Sequence, residues 1–112
     1  MSEQDRVFDT IDEVKDLVGL LQYQDDSIVS RVLLKNSGGI ITLFAFDKGS
    51  GLSEHTAPFD ALVSVVDGEA DIQVAGNSFK VRTGEILKLP ANQPHAVKGA
   101  SRFKMLLIML RA

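Results

Sequence analysis

From Ser27 onward the chain consists of short apolar or β-branched runs separated by turn residues, about one turn every eight to twelve positions. This spacing constrains the fold more than any other feature, because strands this short with frequent turns are typical of an antiparallel sandwich or barrel. The 112 residues contain no internal repeat and no Pro/Gly-rich linker. The sequence therefore predicts one all-β domain with one core.

The predicted strands cover residues 27–35, 40–47, 61–66, 69–74, 78–82, 85–89 and 103–110. The alternation is clearest in residues 69–74, where Ala70, Ile72 and Val74 alternate with polar residues, which indicates one buried and one exposed face. Asp67-Gly68 lies between two of these runs, and both residues tolerate a positive φ. That dipeptide predicts a two-residue β-hairpin.

The last predicted strand is apolar on both faces: one carries Phe103, Met105, Leu107 and Met109, the other Leu106, Ile108 and Leu110. Both faces need cover. Sheet packing together with the N-terminal segment would supply it, and so would a second subunit on the outer face. On this pattern we expect a homodimer.

A short helix is predicted near the start of the chain. Residues 10–13 read as a capping box, apolar residues follow at helical spacing, and Gly19 provides a stop. We expect this helix to cap the core, the alternative being a lid or a partner-binding element. The predicted organisation is an N-terminal helical segment over 1–26 and a barrel over 27–112.

Composition excludes several classes of function. The net charge is −3 with lysines and arginines scattered singly, so nucleic acid is not an expected partner. No apolar run approaches the roughly 18 residues of a membrane helix, and the acidic start lacks the pattern of a secretory signal. We therefore expect no membrane partner and a cytoplasmic location. With no cysteine, any metal would need nitrogen or oxygen ligands.

The two histidines of the chain, His55 and His95, each stand beside a turn. The first lies in a frame of Gly49, five residues, His55, one, Ala57, three, Ala61, six and Gly68. The second lies in a frame of Gly84, five residues, Pro90, one, Asn92, two and His95. Asn92 stands where a glycine would be expected, and asparagine tolerates a positive φ.

In these frames the sequence resembles the cupin superfamily, in particular the small single-domain RmlC-like proteins with a cupin 2 conserved barrel. The resemblance implies a double-stranded β-helix (jelly-roll) barrel, here with a short N-terminal helix. Cupins commonly hold a divalent metal through three histidines and a glutamate. His55 and His95 match two of these ligands, whereas Ala57 and Ala61 stand at the positions of the other histidine and the glutamate.

Three interpretations of the histidine pair stay open. His55 and His95 could hold Zn, Fe, Mn or Ni weakly, with water, substrate or a carboxylate such as Asp60 or Glu54 completing the site. They could instead serve as acid, base or hydrogen-bond anchor in a metal-free pocket. They could also be structural, satisfying backbone groups in loop corners. The predicted pocket residues are His55, His95, Ala57, Ala61, Phe44 and Phe46. The alternative for Phe44 and Phe46, which share one face of their strand, is a place in the core.

The sequence thus predicts a cupin that binds a small molecule inside the barrel, and it leaves the question of catalysis open. One alternative is a metal-dependent enzyme of the dioxygenase, isomerase or lyase type. Another is a non-catalytic sensor or interaction module. The fold alone does not decide among them.

Overall fold

The computed structural model describes residues 13–111, which form nine strands and one 3-10 turn, Val18–Leu20. The strands are β1 Ile28–Asn36, β2 Gly39–Phe46, β3 Gly51–His55, β4 Asp60–Asp67, β5 Glu69–Val74, β6 Asn77–Arg82, β7 Ile86–Leu89, β8 His95–Lys98 and β9 Phe103–Leu110. They build a five-stranded sheet in the order β1-β2-β9-β4-β7 and a four-stranded sheet in the order β3-β8-β5-β6. All pairs are antiparallel, so the predicted all-β jelly-roll is confirmed.

The Asp67-Gly68 hairpin prediction is wrong. β4 and β5 follow each other in sequence but belong to different sheets, so this dipeptide is a corner that carries the chain from one sheet to the other. Gly68 has φ +80°, and a Cβ at this position would lie 2.5 Å from the Arg102 carbonyl oxygen. The glycine is therefore needed for close packing against the start of β9 as well as for its backbone conformation. Local turn chemistry does not reveal which sheet the next strand joins.

The two-residue turn Ala75-Gly76 does form a hairpin, between β5 and β6. Both of its residues have positive φ, 50° and 84°, as this kind of tight turn requires. Two strands escaped sequence prediction, β3 and β8. They are five and four residues long, flanked by glycine or proline, and they carry the two histidines.

The inner faces of both sheets enclose the core of the barrel. Its fully buried members come from both sheets and include Phe46, Val63, Ile72, Phe103 and Met105. In β9 the residues Phe103, Met105, Leu107 and Met109 all belong to this inner core, as their alternation predicts. Side chains from both sheets thus pack together in the barrel interior.

The segment before β1 packs on the outer face of the five-stranded sheet and does not form the predicted helix in its described residues. Residues 10–12 of that prediction lie outside the described residues; residues 13–16 have no helical structure, and only Val18–Leu20 form a 3-10 turn. Isolated short helices are marginal in water, so tertiary contacts decide this conformation. Leu17, Leu20 and Leu21 pack in a second cluster that includes Leu106 of β9.

Lys104, on the outer face of β9, holds this segment in place. Its side chain is buried, and its ammonium donates hydrogen bonds of 2.6 Å to the carbonyl oxygens of Val18 and Leu21. The Tyr23 ring centroid lies 4.9 Å from Lys104 Nζ, and the Tyr23 hydroxyl donates to Asp67 Oδ2 at 2.6 Å. Burial and this hydrogen bond raise the pKa of Tyr23 above its usual value.

A second attachment joins the end of β2 to the same segment. Arg102 Nε donates to Asp47 Oδ1, and the Asp26 backbone N–H donates to Asp47 Oδ2, both at 2.6 Å. The hydrogen bond from Arg102, followed by those from backbone amides, lowers the pKa of Asp47 to about 2.

None of the described helical turns is long and apolar enough to span a membrane.

Candidate functional site

The two histidines meet at one end of the barrel. His55 is the last residue of β3 and His95 is the first of β8, and the two are direct partners across the strand pair. His95 also pairs with Val74, a member of the inner core. His55 is exposed and His95 is half-buried. Both histidines therefore belong to the inner face of the four-stranded sheet, and they lie at the mouth of the barrel rather than deep within it.

The two imidazoles are held in fixed orientations. Their ring centroids are 4.3 Å apart with the planes inclined at 67°. The Nδ1 of His55 lies 2.7 Å from the carbonyl oxygen of Ser53, and the Nδ1 of His95 lies 3.2 Å from that of Gln93. A carbonyl only accepts hydrogen bonds, so Nδ1 is the donor in both contacts, and the neutral form of each ring then keeps a lone pair on Nε2.

The charge state of His95 follows from its surroundings. Partial burial lowers its pKa from 6.5, and the neighbouring His55 lowers it further, while the hydrogen bond to Gln93 acts in the opposite direction. At neutral pH the ring is therefore uncharged, with Nε2 available as an acceptor.

This lowered pKa predicts a pH dependence of stability. Below pH 6.5 the unfolded chain takes up a proton at His95 more readily than the folded protein does, so the free energy of unfolding should fall as the pH drops from 6.5 through the folded-state pKa. Urea unfolding from about pH 7.5 to about pH 5 measures it. His95→Asn should reduce this decline, and the same decline in both proteins would contradict the assignment.

The two other ligand positions of the frame carry alanines, whose side chains have no atom that can coordinate a metal. Ala57 is half-buried in the loop after β3, where its carbonyl accepts the Asn92 N–H at 2.8 Å, and Ala61 is buried in the inner core. Asp60 is exposed, and its Oδ1 accepts the Ala91 N–H at 3.0 Å. Across residues 13–111, no group of three or more histidine, aspartate or glutamate side chains could hold a metal.

The two phenylalanines predicted to line the pocket lie in the core region of β2. Phe46 is fully buried and stacks on Phe103 with centroids 4.4 Å apart. Phe44 is partly buried, packs against the same core, and has its centroid 5.8 Å from that of Phe46. Phe46 thus contributes to packing, and Phe44 is the more accessible of the two.

The loop between β7 and β8 gives the His95 side of the mouth its shape. Asn92 has φ +64°, so the expectation that asparagine supports the left-handed conformation here is confirmed. Pro94 lies directly before His95, and its carbonyl accepts the Ala75 N–H at 2.9 Å. This bond ties the loop to the β5–β6 turn.

Sequence reasoning missed a groove of about 710 Å³ on the outer face of the four-stranded sheet. Its lining comes from that sheet and the turn before β3, with no residue from the five-stranded sheet, so it faces away from the barrel interior and from the histidines. Outward side chains around it include Gln73, Ser78, Ala96 and Lys98. No motif marks these residues, because the groove arises where strands distant in sequence lie side by side.

Comparison with known proteins agrees with this architecture. The family model described as the cupin domain matches residues 42–110. A conserved protein of unknown function from Streptococcus pyogenes is 32% identical, with 89% of this chain and 88% of that chain covered and a TM-score of 0.85. A cupin superfamily protein from Desulfitobacterium hafniense is 31% identical, with coverages of 86% and 88% and a TM-score of 0.82.

A cupin 2 conserved barrel domain protein from Leptotrichia buccalis is 45% identical over 85% of this chain, with a TM-score of 0.81. This chain covers 46% of that protein, so it spans about half of its length. No curated protein matches the chain. The family match over 42–110, together with relatives above 30% identity over most of the chain, shows that this protein belongs to the cupin family.

Proposed function

We propose that this cupin binds a small, uncharged, donor-rich molecule at the mouth of its barrel through His55 and His95. The observation that carries the proposal is the pair of imidazoles, 4.3 Å apart, each with Nδ1 on a backbone carbonyl. That arrangement presents two Nε2 lone pairs at the barrel mouth. A ligand with two hydroxyl, amine or amide groups can donate one hydrogen bond to each.

The same chemistry selects against anions. A carboxylate only accepts hydrogen bonds, so it finds no donor at the Nε2 of a neutral imidazole and meets lone-pair repulsion there instead. Protonating an imidazole would supply a donor, but the lowered pKa of His95 opposes this at neutral pH. Polyols, sugars and neutral amides therefore fit the pair better than organic acids do.

The metal site implied by the family does not fit the described residues. Two imidazoles supply two ligands, whereas catalytic metal sites normally use three protein ligands and leave another position open. Alanine at 57 and 61 provides no ligand atom, and no carboxylate among residues 13–111 completes a group of three with the histidines. The proposal therefore contains no metal-dependent step.

A thermal-shift screen tests the proposal. The panel contains polyols, sugars and neutral amides on one side and mono- and dicarboxylates on the other. A ligand at a hundredfold excess over its Kd should raise the free energy of unfolding by about 2.7 kcal/mol. We expect hits among the donor-rich neutral compounds, and we expect His55→Ala or His95→Ala to remove most of the shift.

A matched control separates this site from the groove on the outer sheet. Lys98→Ala removes a side chain that lines the groove without touching the histidines, so it should leave the shift intact. The proposal fails if the hits are carboxylates alone, or if Lys98→Ala abolishes binding of a neutral compound that His95→Ala leaves unchanged. If Zn²⁺ alone raised the free energy of unfolding with one ion bound per chain, and His95→Ala abolished that rise, the weak metal site would be favoured instead.

A further inference from the structure

The groove of about 710 Å³ on the outer face of the four-stranded sheet, which we call the outer groove, is large enough for a small organic molecule. Its lining comes from all four strands of that sheet. Alternate residues of β5 face the inner core, so Asp71 and Gln73, which lie between them, point outward and line the outer groove. The outer groove is therefore a site separate from the histidine pair.

Strand register arranges the outward positions of the outer groove in two rows across the sheet. The neutral row consists of Ala96, Gln73 and Ser78. The charged row consists of Gly51, Lys98, Asp71 and Lys80. Three of these seven positions have a short side chain or none, so the longer lysine and glutamine side chains stand around a low floor.

The backbone in this floor is already used by strand pairing. β8 and β5 lie inside the sheet, each with a paired strand on both sides, so the ladders occupy their N–H and C=O groups. Ala96 adds only a methyl group, and a Cβ at Gly51 would collide with the Val97 carbonyl oxygen. A polar molecule would lose its water here without gaining hydrogen bonds, whereas a flat apolar one buries its surface without that penalty.

Lys98 supplies the net positive charge of the outer groove. Lys80 Nζ lies 3.6 Å from a carboxylate oxygen of Glu69 and 3.6 Å from one of Asp71. Arg82 Nε lies 3.5 Å from Glu69 Oε1, so two bases compensate two acids on this face. Lys98 is exposed, and it forms no ion pair with any of residues 13–111. An anion is the ligand that completes this charge pattern.

Two neutral hydrogen-bond donors lie near Lys98. The direct partner of Gln73 on β8 is Ala96, two positions before Lys98, so Gln73 and Lys98 are diagonal neighbours. Diagonal neighbours are about 7–8 Å apart, within reach of long side chains. Ser78 pairs directly with Gln73. An ammonium, an amide and a hydroxyl can all donate hydrogen bonds, and a carboxylate only accepts them.

From these observations we propose that the outer groove binds a small monocarboxylate with a flat apolar body. The carboxylate accepts hydrogen bonds from Lys98 and from Gln73 or Ser78, and the body lies on the floor beside Ala96. A dicarboxylate or a phosphate ester brings a second charge close to Asp71 and fits less well. This proposal is independent of the ligand chemistry at the histidine pair.

Titration of the ¹⁵N-labelled protein with benzoate at neutral pH, followed through the backbone amide resonances, tests the proposal. Benzoate should shift the amides of Gln73, Ala96 and Lys98 saturably. Benzamide has the same shape without the charge and should bind there about fivefold more weakly or worse. Isophthalate should bind no more tightly than benzoate, because its second carboxylate meets no cation that lacks an ion pair.

Two substitutions separate the charge from the floor. Lys98→Met keeps most of the aliphatic stem, so it should abolish the preference for benzoate over benzamide. Ala96→Leu fills the floor and should weaken the binding of both compounds. Lys88→Met is the matched control, because Lys88 is an exposed lysine on β7 of the other sheet, and it should leave the preference unchanged.

The amide spectrum of each variant verifies that it is folded. The proposal is overturned if benzoate shifts none of the three amides, or if benzamide binds to the wild type as tightly as benzoate does. It is also overturned if isophthalate binds more tightly than benzoate. A preference for benzoate that survives Lys98→Met, or one that Lys88→Met removes equally, would contradict the assignment to Lys98.

Discussion

Phe46→Ala should lower the free energy of unfolding by about 3–5 kcal/mol. The ring is fully buried, lies nearly parallel to Phe103 with an interplanar angle of 8°, and packs in the inner core. Truncation removes the stacking contact and leaves a cavity that rigid neighbouring strands cannot close. Because whole domains are stable by only about 5–15 kcal/mol, the variant should be marginally folded.

Equilibrium urea unfolding measures this loss, and Phe79→Ala is the matched control. Phe79 is 42% exposed at the edge strand β6, so its truncation should cost less than about 1 kcal/mol. A loss of under 1 kcal/mol for Phe46→Ala would contradict the assignment of Phe46 to the core. In that case the ring would face an open cavity, as the sequence-based pocket prediction held.

Lys104→Met should lower the free energy of unfolding by about 2–4 kcal/mol. Methionine keeps most of the aliphatic stem but provides no donor for the carbonyls of Val18 and Leu21, which each accept a hydrogen bond of 2.6 Å from the ammonium. The contact between the cation and the Tyr23 ring is lost as well. Because the two carbonyls would then be buried without a donor, the N-terminal segment should detach from the sheet so that water can reach them.

Two measurements check this prediction: urea unfolding for the global loss, and hydrogen exchange at the Gly19 and Leu20 amides for local release of the 3-10 turn. Lys98→Met is the control, because Lys98 is an exposed lysine on a strand and should change stability by no more than about 0.5 kcal/mol. Replacing a buried charge by an apolar side chain is stabilising in some proteins. Unchanged or increased stability of Lys104→Met would show that desolvation of the ammonium outweighs its hydrogen bonds.

Much of the fold could be predicted from local pattern. The alternation of residues 69–74 and the inner face of residues 103–110 reflect burial that the structure confirms. On the outer face of the same strand Leu106 is covered by the N-terminal segment, whereas Leu110 is 58% exposed. Sheet membership could not be predicted, because Asp67-Gly68 has the same turn chemistry in a hairpin as in a corner between sheets. The helix prediction failed in residues 13–16 because packing of Leu17, Leu20 and Leu21 on the sheet outweighs a weak local preference.

The candidate site was only partly predictable. Motif spacing placed His55 and His95 in related loops, and the structure makes them direct cross-strand partners. The Nδ1 contacts to Ser53 and Gln93 could not be foreseen, because every residue carries a carbonyl and only the folded backbone aims it. The role of Lys104 could not be predicted either, since the carbonyls that it binds lie more than 80 positions away in sequence.

The central claim is that the two Nε2 lone pairs form the binding site, and two-bond ¹⁵N–¹H correlation spectra of the imidazoles test it most directly. With the imidazoles in their neutral form, both rings of the free protein should show the proton on Nδ1 and none on Nε2. On titration with the strongest neutral ligand from the screen, both Nε2 resonances should shift while both Nδ1 resonances stay in place. Saturable binding that leaves both imidazoles unchanged and shifts only the Gln73 and Ala96 amides would contradict the account, because the ligand would then occupy the outer groove.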